Sequence, residues 1–253
     1  LKILKNKKSN IQKEELIQWK NDPLGYALYD YLEGNSKAII DIQTNLDDES
    51  MSAEIFFRQY HELVYLEKLA LQNCIGTVLD IGAGAGCHTL ALQDFDVDVT
   101  ALEISAGAVE VMKLRDVQSI IHSDVFDYKA AQYDTLILLM NGIGVCGTLA
   151  GMNKMLTHFK SLLNPGGQIL FDSCDIVNAF YEVDGSAFID NTTGYYGNVV
   201  FNMEYKGIKS RPFKWLYVDQ YTMKEYAEMN GFHFEILGEG NSMNYLGRLT
   251  LAQ

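Results

Sequence analysis

From residue 76 to residue 175 the chain alternates short apolar runs with segments of helical spacing. Thr77-Val78-Leu79-Asp80-Ile81 opens the series, and Val97 to Glu103 alternates apolar with polar positions. Ser119 to Phe126 follows, then the largely apolar Tyr133 to Met140, and Gln168-Ile169-Leu170-Phe171 is the fifth run. Short apolar runs bounded by turn residues read as strands. Cys87 to Gln93 and Thr148 to Leu163 have the spacing of helices between them. Strands in regular alternation with helices predict an α/β fold with a mostly parallel sheet covered on both faces.

On either side of this stretch the pattern changes. Residues 11 to 33 have a helical pattern, with Pro23 after Asn21-Asp22 at the first turn of a new helix. Ile40, Ile42, Thr44 and Leu46 alternate as an extended segment. An acidic turn, Asp47-Asp48-Glu49-Ser50, leads to a predicted long helix from Ser52 to Asn73. Residues 1 to 73 are therefore expected to form an N-terminal helical cap on a domain of residues 74 to 253. Beyond Phe171, Asp175 to Ala187 reads as a short helix and loop. Strands are expected over Tyr196 to Tyr205 and Phe213 to Tyr221, and a helix over Thr222 to Asn230, stopped by Gly231. Phe232 to Leu237 and Leu246 to Leu251 supply the last strands.

The chemistry is concentrated at Asp80-Ile81-Gly82-Ala83-Gly84-Ala85-Gly86. A strand that ends in an acid, a glycine turn and a helix start together make a nucleotide site. Glycines let a ligand approach the backbone, and the helix N-terminus offers unpaired N–H groups. A dinucleotide fingerprint needs a third small residue where this chain has Cys87. Glu103, about 20 residues on, suits ribose hydroxyls with either kind of nucleotide. Glu103 and Asp124 also fit ordinary helix N-caps.

The order of elements resembles the class I S-adenosylmethionine-dependent methyltransferase family. The resemblance rests on Gly-x-Gly-x-Gly after Asp80, on acids at Glu103 and Asp124, and on a polar loop Asn141-Gly142 after the fourth strand. Leu163-Asn164-Pro165-Gly166-Gly167 before the fifth strand completes it. It implies a Rossmann-like fold of seven strands with one antiparallel strand from a late hairpin. It also implies S-adenosylmethionine as cofactor and S-adenosylhomocysteine as product. In that family Asp80 orients the cofactor amino group, and Gly82, Ala83, Gly84 and Gly86 pass beneath the methionine part. Glu103 with Ile104 meets the ribose, Asp124 with Val125 holds the adenine, and Asn141-Gly142 lies beside the reacting methyl group. A nicotinamide-dependent oxidoreductase, a noncatalytic S-adenosylmethionine-binding protein and an aminopropyl transferase are the rival readings.

Charge and composition narrow the partners. With 253 residues and 48% hydrophobic content the chain can bury a full core. A net charge of −13 opposes binding to a dense phosphate array, so a small-molecule acceptor is expected and nucleic acid is not. No apolar run approaches the roughly 18 residues of a membrane span. The 4 cysteines lack paired metal spacing, so neither a metal nor a disulfide is expected, and a cytoplasmic setting follows.

The acceptor side is less marked. Phe56, Phe57, Arg58 and Tyr60 read as a lid in which Arg58 pairs with a carboxylate, or as a helix packed on the core. Trp215, Tyr217, Asp219 and Tyr221 fall on one face of an alternating segment, a pocket wall or an ordinary packing face. Asp172 and Asp175 follow the fifth strand on the ligand side of the sheet. Methyl transfer needs alignment and dryness more than a side-chain base, so no catalytic residue is nominated.

Overall fold

The computed structural model describes residues 19–180 and 194–252. The chain enters through helix α1 (Pro23–Leu32), with Pro23 in the first turn and Asp22 as N-cap. Strands β1 (Ile39–Thr44) and β2 (Asp48–Ser52) then pair antiparallel. The acidic segment expected as a turn is thus mostly the second arm of a hairpin. The long helix expected from Ser52 to Asn73 is instead two single 3-10 turns, Ala53–Phe57 and Tyr60–Glu62, followed by α2 (Tyr65–Gln72). Ser52 and Gln59 start the turns, and extended backbone at Arg58 and Leu63 ends them. Those breaks let Phe56 and Phe57 face a different part of the core from Leu66 and Leu71.

The nucleotide-type core follows in the expected order: β3 (Val78–Ile81), α3 (Cys87–Asp94), β4 (Val99–Glu103), α4 (Ala106–Leu114), β5 (Ile120–His122) and β6 (Tyr133–Leu138). Next come α5 (Leu149–Phe159) and β7 (Leu163–Cys174). A second group of short strands, β8 (Asn198–Tyr205), β9 (Ile208–Lys209) and β10 (Phe213–Leu216), precedes α6 (Gln220–Met229). The hairpin β11 (Phe232–Glu239) and β12 (Asn244–Leu251) closes the chain. The main sheet has seven strands in the order β11-β12-β7-β6-β3-β4-β5. Strands β7, β6, β3, β4 and β5 are parallel, and β12 runs antiparallel beside β7.

Both faces of this sheet are covered. Leu136, Leu138, Met152, Phe159, Met223 and Phe232 fill one side beneath α5 and α6. Leu66, Ala70, Leu92, Val78, Ile137 and Leu170 fill the other beneath α2 and α3. Burial on both faces explains why these strands read as continuous apolar runs.

The N-terminal part is more than a helix. Strands β1 and β2 join β8 and β10 in a second antiparallel sheet, β10-β8-β1-β2, with β9 beside β8. This sheet and α1 share a core with α4 and the glycine turn through Ile40, Phe201, Ala108, Val111 and Ala85. Residues 39–52 and 198–216 are thus built into one second sheet. The residues just before 73 form α2 instead, on the flank of the main sheet. Among the described residues no helix is long and apolar enough to cross a membrane.

Candidate functional site

The site lies at the carboxyl ends of β3, β4 and β6, where a parallel sheet leaves its ligand crevice. Its glycine turn has Gly82, Gly84 and Gly86 all in the left-handed region, at φ 74°, 56° and 81°. The three serve different ends. A Cβ on Gly82 would meet nothing within 4 Å, so open space lies before it. A Cβ on Gly84 would lie 2.9 Å from Phe56 Cδ1, and one on Gly86 2.9 Å from Val117 Cγ2. Ala83 is buried between them. Asp80 is buried below the turn, where the Thr89 hydroxyl donates to its Oδ2 at 2.6 Å. Burial raises the pKa of its carboxyl despite that bond.

The second strand end is built around Glu103. Its Oε2 accepts the Gly84 N–H at 2.8 Å, and its Oε1 accepts the N–H groups of Ile104 and Ser105, each at 2.8 Å. Burial pushes its pKa up against those three donors. Beside it Ile104 is 63% exposed. His122 Nε2–H donates to the Ile104 carbonyl at 3.0 Å and holds that turn to β5. Asp124 accepts the Phe126 N–H at 2.9 Å, and Val125 is buried in the core with its carbonyl accepting from His158.

At the end of β6 the backbone takes an uncommon path. Met140 and Asn141, neither a glycine, both have left-handed φ, 62° and 55°. Asp172 Oδ1 accepts the Asn141 N–H at 2.8 Å, and the Asn141 carbonyl accepts from Trp215 Nε1 at 3.1 Å and Gly144 N at 3.0 Å. Asn141 Oδ1 is buried without a partner among the described residues. Gly142 is buried, and the Trp215 indole lies directly on Gly144. Burial, helped by the charge of Glu67, raises the Asp172 carboxyl to about 7.

Arg58 and Tyr60, expected as part of a lid or of a core-packed helix, bind the chain's own side chains. Arg58 makes a bidentate pair with the chain's own Glu67, Nη1 to Oε2 at 2.9 Å and Nη2 to Oε1 at 2.6 Å. Tyr60 accepts from Gln72 at 2.9 Å and packs edge-on against Phe95. Trp215 and Tyr217 do come together, both ringed around Phe201. Asp219 and Tyr221 do not join them, because the strand ends at Leu216. Asp219 instead caps α6 and accepts the Tyr195 hydroxyl at 2.7 Å, while Tyr221 is 78% exposed.

Sequence reasoning missed Glu67. It is buried, and His88 Nε2 also donates to it at 3.0 Å. Burial alone would raise the Glu67 carboxyl, but His88, Arg58 and the Val64 N–H bring it to about 2. Burial opposes a charge on His88, yet Cys87, Glu67 and Asp80 together raise its pKa well above the usual value. Glu67 accepts the Val64 N–H at 2.9 Å, but valine offers no cap oxygen, so no local pattern marks this carboxylate or tells that it reaches residues 58 and 88. Among the described residues no group of His, Cys, Asp or Glu is arranged to hold a metal ion.

A family model described as a methyltransferase domain matches residues 50–187. A SAM-dependent methyltransferase from Bacteroides fragilis, solved in complex with S-adenosyl-L-homocysteine, is 40% identical, with a TM-score of 0.87. That match covers 93% of this chain and 97% of the other. A S-adenosylmethionine-dependent methyltransferase from Clostridium acetobutylicum ATCC 824 shares the fold at 13% identity and a TM-score of 0.56, over 79% and 98% of the two chains. The CcbJ methyltransferase from Streptomyces caelestis does so at 13% and 0.55, over 74% and 89%. No curated protein matches the chain in sequence. The family model over residues 50–187 and the 40% identity over 93% of the chain show that the chain belongs to the class I S-adenosylmethionine-dependent methyltransferase family.

Proposed function

We propose that this methyltransferase acts on a small-molecule acceptor, held between the glycine turn and the second sheet. The open space before Gly82 is given to the cofactor, and the observation that carries the small-molecule reading is the net charge of −13. When bound, S-adenosylmethionine supplies a methyl group on a sulfonium and leaves as S-adenosylhomocysteine. Gly82 and Ala83 form the floor under its methionine part, and Asp80 supports that floor from below. Gly84 and Gly86 shape the turn, the first by admitting Phe56 and the second by admitting Val117. Glu103 receives a ribose hydroxyl on the one lone-pair site of Oε2 that its three N–H partners leave free. Ile104 covers the adenosine, and Asp124 and the Val125 N–H meet the adenine edge.

On the acceptor side, Trp215 and Tyr217 line the wall, and Asn141 with Gly142 stands beside the reacting centre. The buried Asn141 Oδ1 offers a hydrogen-bond acceptor to a donor on either ligand. Arg58 and Tyr60 are held by Glu67 and Gln72 and are given no part in that wall. The lid of α1 and the second sheet excludes water, which suits a displacement that depends on alignment. In this reading α1 and the second sheet form the cap, and the seven-stranded sheet with its helices forms the methyltransferase domain.

The net charge of −13 favours a small molecule over nucleic acid. Free thiols at Cys74, Cys87, Cys146 and Cys174 support a cytoplasmic location. The test is incubation of the protein with methyl-labelled S-adenosylmethionine and a cell extract separated by size. Label is expected in a new low-mass product that appears only with the enzyme and is resolved from S-adenosylmethionine itself; new label confined to protein or nucleic acid would overturn the small-molecule assignment.

A further inference from the structure

One side chain ties the cap to the Glu103 turn. Asp22 caps α1 with Oδ1, which accepts the Gly25 N–H at 2.8 Å. Its Oδ2 belongs to a different helix: it accepts the Ser105 hydroxyl at 2.7 Å and the Gly107 N–H at 3.0 Å. A single carboxylate therefore closes the N-termini of α1 and α4 together, where both helix dipoles favour a negative group. The reach depends on two glycines set back to back. A Cβ on Gly107 would lie 2.6 Å from Gly25 Cα, and one on Gly25 would lie 2.7 Å from Gly107 Cα.

Ser105 passes this restraint onward. Its hydroxyl accepts the Ala108 N–H at 3.0 Å as it donates to Asp22, and its backbone N–H binds Glu103 Oε1 at 2.8 Å. Glu103 Oε2 in turn holds the Gly84 N–H at 2.8 Å. A continuous line of hydrogen bonds thus runs from Asp22 through Ser105 and Glu103 to the glycine turn. A glutamate has three side-chain torsions, and its carboxylate keeps one orientation only as firmly as the donors around it are placed.

We propose that Asp22 is a positioning residue for the cofactor, fixing through Ser105 the carboxylate of Glu103 that receives the ribose. This rests on the assignment of Glu103 to the ribose. Oδ1 caps α1 and Oδ2 closes the start of α4, and the bond of Oδ2 to Ser105 is the part of the arrangement that reaches Glu103, through the Ser105 N–H. The lid and the ribose turn are then one unit, and the cap contributes to cofactor affinity without touching the cofactor.

The test is calorimetric titration of the full chain with S-adenosylhomocysteine in wild type, Asp22→Ala, Asp22→Ser, Glu103→Gln and the Asp22→Ser/Glu103→Gln double variant. Serine is itself a good N-cap for Gly25 but too short to span to Ser105, so it separates the two roles if the alanine variant fails to fold. Asp22→Ser is expected to weaken binding about tenfold, or 1.4 kcal/mol. In the Glu103→Gln background the same change is expected to cost less than about twofold, because the residue acts through Glu103. Wild-type affinity in Asp22→Ser, or an equal loss in both backgrounds, would overturn the proposal. Wild-type affinity in Glu103→Gln would instead remove the ribose assignment on which it stands.

Discussion

The ring of Phe56 occupies the space a side chain would need at Gly84: a Cβ there would lie 2.9 Å from Phe56 Cδ1 and 3.3 Å from Cε1. Arg115 fastens this contact from the other side. Its guanidinium donates to the carbonyls of Phe56 at 3.2 Å and Ala85 at 2.5 Å, and lies 4.7 Å from the centre of the Phe57 ring. The turn Ala53–Phe57 is thereby seated on the glycine turn itself.

Gly82 and Gly84 should respond differently to alanine. At Gly84 the methyl group meets both a left-handed φ and Phe56, so Gly84→Ala is expected to cost about 2–4 kcal/mol of stability. At Gly82 only the backbone strain remains, about 1–2 kcal/mol, while the methyl group enters the proposed cofactor space. Urea unfolding should therefore rank Gly84→Ala as less stable, and titration with S-adenosylhomocysteine should show a clear loss of affinity in Gly82→Ala. Equal unfolding midpoints would contradict the contact with Phe56.

Glu67 is expected to be the most sensitive buried charge. With its carboxyl lowered from 4.5 to about 2, it contributes stability above the unfolded value and loses it as pH falls through that interval. His88, raised above its usual 6.5, contributes fully below that value and loses its share as pH rises through the higher folded value. Glu67→Gln leaves Arg58 and His88 without their carboxylate and is expected to cost about 3–5 kcal/mol at neutral pH. It should also flatten the acid limb of stability between pH 4.5 and about 2. Denaturant unfolding across pH checks both, and an unchanged acid limb would exclude Glu67 as its source.

Asp172 has the opposite sign. Its carboxyl is raised from 3.8 to about 7, so the folded state binds the proton more tightly and stability falls as pH rises through that window. Asp172→Asn retains an oxygen for the Asn141 N–H and never ionises. Its thermal midpoint should exceed that of wild type at pH 8 and match it near pH 4. A lower midpoint at pH 8 would show that the ionised carboxylate is stabilising.

Much of this was legible in the chain, for a physical reason in each case. Strands buried on both faces must be apolar throughout, so Val78 to Ile81 and Tyr133 to Leu138 announce themselves. Left-handed turns need glycine, so Gly82, Gly84 and Gly86 do as well. Pro23 and Asp22 marked a helix start, but the reach of Asp22 to Ser105 across 83 residues has no local signature. The second sheet was hidden likewise, since β1 pairs with β8 over a long separation and β2 is an acidic strand that resembles a turn. The segment after Trp215 misled because Tyr217, Asp219 and Tyr221 alternate like a strand, while Asp219 in fact caps a helix. The expected helix and loop from Asp175 to Ala187 lies partly outside the described residues; within them Val177–Phe180 forms a single 3-10 turn.

The most direct measurement is a calorimetric titration of the purified chain with S-adenosylmethionine, S-adenosylhomocysteine, NAD and decarboxylated S-adenosylmethionine. The account predicts binding of the first two, each with one site per chain, and a large loss of S-adenosylhomocysteine affinity in Glu103→Gln. Preference for NAD, or binding unaffected by Glu103→Gln, would contradict the placement of the cofactor between Gly82 and Glu103.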